Sequence, residues 1–182
     1  MTLVNHNDYH DKRISWGDCI YDHFCRFLGE PLYSEKFEQA PNVPSIQILT
    51  FGDVFGSCRA FCSFGLSHYR SLMGEVAEVC LAANDGWEEA PSILAASLFA
   101  VLQGQATLRS GVAFRFCDWH TSFQRFASHF GKPAIYITVP PLNLPSDFGR
   151  IACNSETAQL YFAFYLSESE YSYYIEHGPD KL

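Results

Sequence analysis

Residues 159–179 constrain this chain more than any other stretch. They read Gln-Leu-Tyr-Phe-Ala-Phe-Tyr-Leu-Ser-Glu-Ser-Glu-Tyr-Ser-Tyr-Tyr-Ile-Glu-His-Gly-Pro. Leu160, Phe162, Phe164 and Leu166 alternate with Tyr161, Ala163 and Tyr165. A pleated strand therefore sends an apolar row to one face of a sheet and a mostly aromatic row to the other, and such a strand belongs inside a sheet. Ser167 then stands three residues before Glu170, the spacing at which a hydroxyl and a carboxylate reciprocally satisfy the free amides that open a helix. The helix predicted from about Ser167 carries Tyr171, Tyr174 and Ile175 on one side and His177 in its last turn. It stops at Gly178-Pro179.

Upstream, Ser15 caps a predicted helix whose apolar face repeats as Trp16, Ile20, Phe24, Phe27 and Leu28 before Gly29 and Pro31. A connection punctuated by Pro41 and Pro44 leads to three strands, 46–51, 58–64 and 76–81. Gly52 to Ser57 is short and rich in turn formers, so the first two strands pair as an antiparallel hairpin. After Asn84-Asp85-Gly86 and Trp87, Pro91 suits the first turn of a helix lined by Leu94, Leu98, Val101 and Leu102. Residues 112–116 read as a strand, whereas 123–130 fits neither period and is a short helix or irregular surface. Ile135 to Val139 is a strand closed by Pro140-Pro141, and 145–155 reads as a loop. The expected fold is a single α+β domain over 1–182, a largely antiparallel or mixed β-sheet covered by α-helices near 16–28, 91–103 and 168–177. Residues 1–13 are polar and read as a loose N-terminal arm without the apolar core of a signal peptide.

Composition narrows the functional classes. With 48% hydrophobic, 16% aromatic and only 18% charged residues, the chain is expected to bury a core, not to remain disordered. Its 20 acidic residues outnumber 12 basic ones for a net charge of −8. That balance argues against nucleic acid, whose backbone is bound by Lys and Arg neutralising phosphates. No run reaches membrane-spanning length. The seven cysteines, at 19, 25, 58, 62, 80, 117 and 153, include no C-x-x-C pair and sit mostly among apolar residues. The expectation is buried free thiols in a reducing compartment, hence a cytoplasmic protein.

Signatures of catalysis are missing: no G-x-S-x-G, no G-x-x-x-x-G-K, no dinucleotide glycine fingerprint and no H-E-x-x-H. Cys117-Asp118-Trp119-His120 gathers a thiol and an imidazole within four residues, which leaves a Cys/His hydrolase as one alternative. His6 and His10, flanked by Asp8 and Asp11, lack a second ligand cluster, so no metal and no cofactor are expected. For partner binding, the candidates are the polar cluster His68, Tyr69 and Arg70, the pair Trp119 and His120, and the acidic residues Asp53, Glu75, Glu78, Asp85, Glu88 and Glu89. The acidic set could steer a basic partner if its members share a surface.

Several short segments resemble the suppressor of fused domain, especially its single-domain bacterial members. They are Phe64-Gly65-Leu66-Ser67, which resembles the family's Gly-Met-Ser turn; Glu75-Val76-Ala77-Glu78-Val79; Trp87 with the helix after it; 135–141; and the tail from Tyr165 to Asp180. The resemblance runs from about Trp16 to Asp180 and thins across 105–132. It implies non-enzymatic protein binding: bacterial members are immunity proteins that neutralise a cognate toxin of a polymorphic secretion system. Animal members restrain a transcription factor by clamping its peptide between two domains, and only one such domain fits here. A regulatory module that binds a peptide by strand addition is the other alternative.

Overall fold

The computed structural model describes residues 15–39, 45–54, 56, 58–84 and 86–181. Helix α1 (Trp16–Leu28) opens with a capping box: Ser15 Oγ accepts from Asp18 N, and Asp18 Oδ2 accepts from Ser15 N, each at 3.2 Å. It buries Ile20, Phe24 and Leu28 on one side, as the 3.6-residue period requires. Strands β1 (Tyr33–Phe37), β2 (Ile46–Val54) and β3 (Cys58–Phe64) follow. A 3-10 turn (Leu66–Tyr69) and a one-turn helix α2 (Arg70–Met73) lead to β4 (Ala77–Asn84). Then come α3 (Ala90–Leu102), β5 (Val112–Arg115), α4 (Thr121–Phe130), β6 (Ala134–Thr138), β7 (Arg150–Cys153), β8 (Glu156–Leu166) and α5 (Glu168–His177).

All eight strands join one sheet in the order β1-β2-β3-β4-β8-β6-β5, with β7 paired to the start of β8. Every pairing is antiparallel except β4 with β8, where Ala77 pairs Gln159 and Leu81 pairs Ala163 in parallel. The β2–β3 hairpin forms as expected, with an irregularity between Phe51 and Val54 that places Asp53 at φ 52°. A β-bulge of this kind inserts a residue and turns it out of the ladder.

The two rows of β8 face two cores. Tyr161, Ala163 and Tyr165 enter a layer built with Ile93, Leu94 and Leu98 of α3 and Phe123 and Phe126 of α4. Leu160 and Phe162 enter a second layer with Ile20 and Phe24 of α1 and with Phe148 and Ile151. Leu166 lies under Tyr171 and Tyr174 of α5. The helices thus sandwich the sheet, α3 and α4 on one face, α1 and α5 on the other. Phe164 contacts both the α1 and α5 clusters but is only half-buried.

Three expectations need correction and one open alternative is resolved. The segment before Pro41 contains strand β1, tied on by Leu32 N donating to Thr50 O at 2.7 Å. Residues 145–155 contain β7. The ambiguous aromatic run is helix α4, which buries Phe123 and Phe126. Finally, Cys19 and Cys153 are joined in a disulfide between α1 and β7, so these two are not free thiols.

Removing the α5 cap and removing a core ring should differ severalfold. Phe24→Ala, at a fully buried position, is expected to cost roughly 3–5 kcal/mol, and Ser167→Ala about 1 kcal/mol. Phe164→Ala should fall below Phe24→Ala because its ring is only half-buried. Urea midpoints at unchanged slope measure all three; equal shifts for Phe24→Ala and Ser167→Ala would contradict the layer assignment.

Candidate functional site

Strand directions divide the candidate residues between two ends of the sheet. Val54 pairs Cys58 and Cys58 pairs Asn84, so the β2–β3 hairpin with Asp53 lies beside the end of β4. Leu166 pairs Ala134 and Ala134 pairs Arg115, which brings the end of β5 to this same end. Asp53, Glu88, Glu89, Trp119 and His120 therefore share one end. His68, Tyr69, Arg70 and Glu75 follow β3 or precede β4 and lie at the other. The acidic set does not form one surface, and Asp85, like His6 and His10, lies outside the described residues.

At the second end, the residues that carried the family resemblance assemble into one buried unit. Glu78 is 0% exposed, so it offers no carboxylate to a partner. Its Oε2 accepts from Ser63 Oγ at 2.5 Å, and its Oε1 accepts from Gly65 N at 3.0 Å and Ser67 N at 3.4 Å. Ser63 Oγ in turn accepts from Val79 N at 2.8 Å, just past the last β3–β4 partners, Cys62 and Cys80. Burial pushes the Glu78 carboxyl up to about 8, outweighing the donors from Ser63, Gly65, Ser67 and Leu66 that pull it down. Tyr69 is 5% exposed and belongs to the core beneath α3. Arg70 remains exposed but pairs with Glu156 at 2.8 Å, and Glu75 accepts from the Tyr161 hydroxyl at 2.9 Å. Most of this cluster builds the turn.

At the first end, Trp119 stacks on Phe114 with centroids 5.6 Å apart and 25° between planes, and stays 36% exposed. His120 caps α4, its Nδ1 accepting from Ser122 N at 3.2 Å and lying 2.7 Å from Ser122 Oγ. The Cys117 thiol donates to Asp118 Oδ1 at 3.4 Å, and burial raises its pKa above the ordinary 9.0. A nucleophilic cysteine needs the opposite shift and a base on its sulfur. The geometry gives the Cys117–His120 pair neither.

Beside these residues lies a cleft of about 1070 Å³ between the loop after β4 and helix α4. Glu88 and Glu89 form one wall; Gln124, Arg125 and His129 form the other, over Phe126 and Phe130. Phe126 and Phe130 are backed by Trp87, at 5.4 and 4.9 Å between centroids. Elsewhere on the surface some opposite charges pair, among them Arg26 with Asp147, Arg115 with Glu168 and Lys132 with Glu170. Among the described residues, Glu88, Glu89 and Arg125 have no such pairing. Aromatic side chains and arginine are among the residue types enriched at protein interfaces. Glu88 and Glu89 were visible in the sequence; Arg125 and His129 were not, because the α4 period was ambiguous. Among the described residues, no cluster of three or more His, Cys, Asp or Glu could hold a metal ion, and no helix is long and apolar enough to cross a membrane.

The fold is shared with solved structures of suppressor of fused proteins. The SUFU (suppressor of fused protein) homologue of Neisseria gonorrhoeae FA 1090 superposes with a TM-score of 0.66 at 10% identity, over 91% of this chain and 85% of that one. A chain of the Sufu–Fu complex superposes with a TM-score of 0.60 at 14% identity, over 90% of this chain and 80% of that one. No protein-family model and no curated protein matches the sequence. The likeness at this identity is one of fold.

The Glu78 unit makes stability depend on pH in a defined direction. Its pKa is near the ordinary 4.5 when unfolded and about 8 when folded, so folding favours the protonated acid. The contribution is complete below about pH 4.5 and is lost as pH rises through about 8. Glu78→Gln, which keeps the shape and cannot ionise, should gain stability relative to the native chain between about pH 5 and about pH 8. Urea midpoints across that range check it; a constant difference would mean that Glu78 does not titrate there.

Proposed function

We propose that this chain is a non-enzymatic protein-binding protein that neutralises a cognate bacterial toxin, with the cleft between the loop after β4 and α4 as its contact surface. The observation that carries this reading is the fold shared with suppressor of fused homologues, one of which is crystallised with a protein partner, Fu. The immunity role rests on the resemblance to single-domain bacterial members. The unpaired charges around the aromatic floor of the cleft support its use as an anchor site. The net charge of −8 favours a basic partner and speeds encounter by electrostatic steering.

Strand addition is the second reading, favoured by the open edges of the sheet at β1 and β5. Strand β1 is exposed and charged at Glu35 and Lys36, whereas all four residues of β5 are half-buried. The edge at β5 is the less guarded of the two.

Stopped-flow kinetics with the product of the adjacent gene tests both readings. Association should slow by about tenfold or more between low and high salt while dissociation changes less. Glu88→Lys with Glu89→Lys should slow it further. A complex insensitive to these reversals would move the contact away from the cleft and towards a sheet edge, and no complex at all would defeat the immunity reading.

A further inference from the structure

Among the described residues, Cys25, Cys58, Cys62, Cys80 and Cys117 carry free thiols. Two of them face each other. Cys62 and Cys80 are direct partners in the antiparallel register of β3 and β4, both are fully buried, and both enter the layer beneath α1. Burial first, then the neighbouring Cys80 thiol, holds Cys62 well above the ordinary 9.0. Opposed residues of an antiparallel pair have Cα atoms about 4.5 or about 5.5 Å apart. Both separations fall in the range of about 4.4–6.8 Å that a disulfide spans. The cross-strand register therefore sets the two Cα atoms at a spacing that a disulfide spans.

Access is the barrier. Helix α1 sets Ile20 and Phe24 in the same layer, and α1 is itself fastened to β7 by the Cys19–Cys153 disulfide. An oxidant reaches the pair only when α1 lifts, a local opening whose frequency depends on what holds the helix down.

We infer that Cys62 and Cys80 form a latent oxidation site that closes into a cross-strand disulfide with a small disulfide oxidant, and that Cys19–Cys153 is the latch controlling its rate. With glutathione disulfide, one cysteine loses its proton and its thiolate attacks a glutathione sulfur. One glutathione thiolate leaves, and a protein–glutathione mixed disulfide remains. The opposing cysteine, deprotonated in turn, attacks the protein sulfur of that bond and expels the second glutathione. Two protein thiols are oxidised to one disulfide, one glutathione disulfide is reduced to two glutathiones, and the two protons pass to the departing thiolates. The new bond would stitch β3 to β4 one residue from Ser63 and two from Glu78.

The test uses the full chain with Cys19–Cys153 intact, incubated with glutathione disulfide, quenched with N-ethylmaleimide and mapped by peptide mass spectrometry. A Cys62–Cys80 link is expected, forming about tenfold or more faster in the Cys19→Ser/Cys153→Ser variant. Ile20→Ala, which loosens α1 without touching a cysteine, should also accelerate it, so the proposal does not hang on one variant folding. Cys80→Ser should leave glutathione on Cys62 in place of the link. The oxidation site is overturned if Cys62 and Cys80 stay reduced in all the lid variants while Cys25 and Cys58 take up glutathione. A link that forms at one rate in the native and both lid variants overturns the latch.

Discussion

The fold turns on one buried carboxyl group, that of Glu78. Burying Glu78 away from water is costly, and it is tolerated because its two oxygens gather the groups that the chain must satisfy on leaving β3. Gly65 sits at φ 117°, where a side chain would also meet Ser45 O at 3.1 Å. At that corner the ladder ends, and the amides of Gly65 and Ser67 turn inward to Glu78. Ser63 extends the ladder by accepting from Val79 with its side chain. The corner sends the chain through the 3-10 turn and α2 and returns it as β4, fixing where Tyr69 enters the core and where Arg70 meets Glu156. Two short motifs, read separately as family-like, are the two halves of this unit.

Features governed by local rules were readable from the sequence. The alternation in β8, the capping residues Ser15 and Ser167, and the glycine–proline stops all act within a few residues. The missed features depend on distant partners. Strand β1 is polar and almost wholly exposed, so nothing but pairing with β2 makes it a strand. Strand β7 is four residues long and is held by its hairpin with β8. The disulfide joins cysteines 134 positions apart, a pairing that spacing cannot reveal. Glu78 stands with the other acidic residues as a surface candidate, since nothing local in the sequence marks it as buried. Only the inward-turned amides of the Gly65 corner explain its burial.

The same division explains the candidate site. Acidic residues scattered along the chain could be listed from the sequence, but strand direction decides which of them meet, and it sends Asp53, Glu88 and Glu89 one way and Glu75 the other. The cleft gains its character from Glu88 and Glu89 lining it together with Arg125 and His129 of α4. Structures that share the fold at 10% and 14% identity preserve the sheet and leave such surface chemistry free to differ.

The parallel seam between β4 and β8 has a consequence for synthesis. Strands β1 to β4 pair with one another in sequence order and can form a meander as soon as they are made. The inner edge of β4, with Val79 and Leu81 beside it, must then wait about eighty residues for β8. Until then the nascent chain displays an apolar, unpaired strand edge of the kind that templates aggregation. Strand β8 closes that edge, receives β6 and β7 on its other side, and supplies both cores at once. Strand β8, the last of the described strands, is thus the one that joins two partial sheets into one.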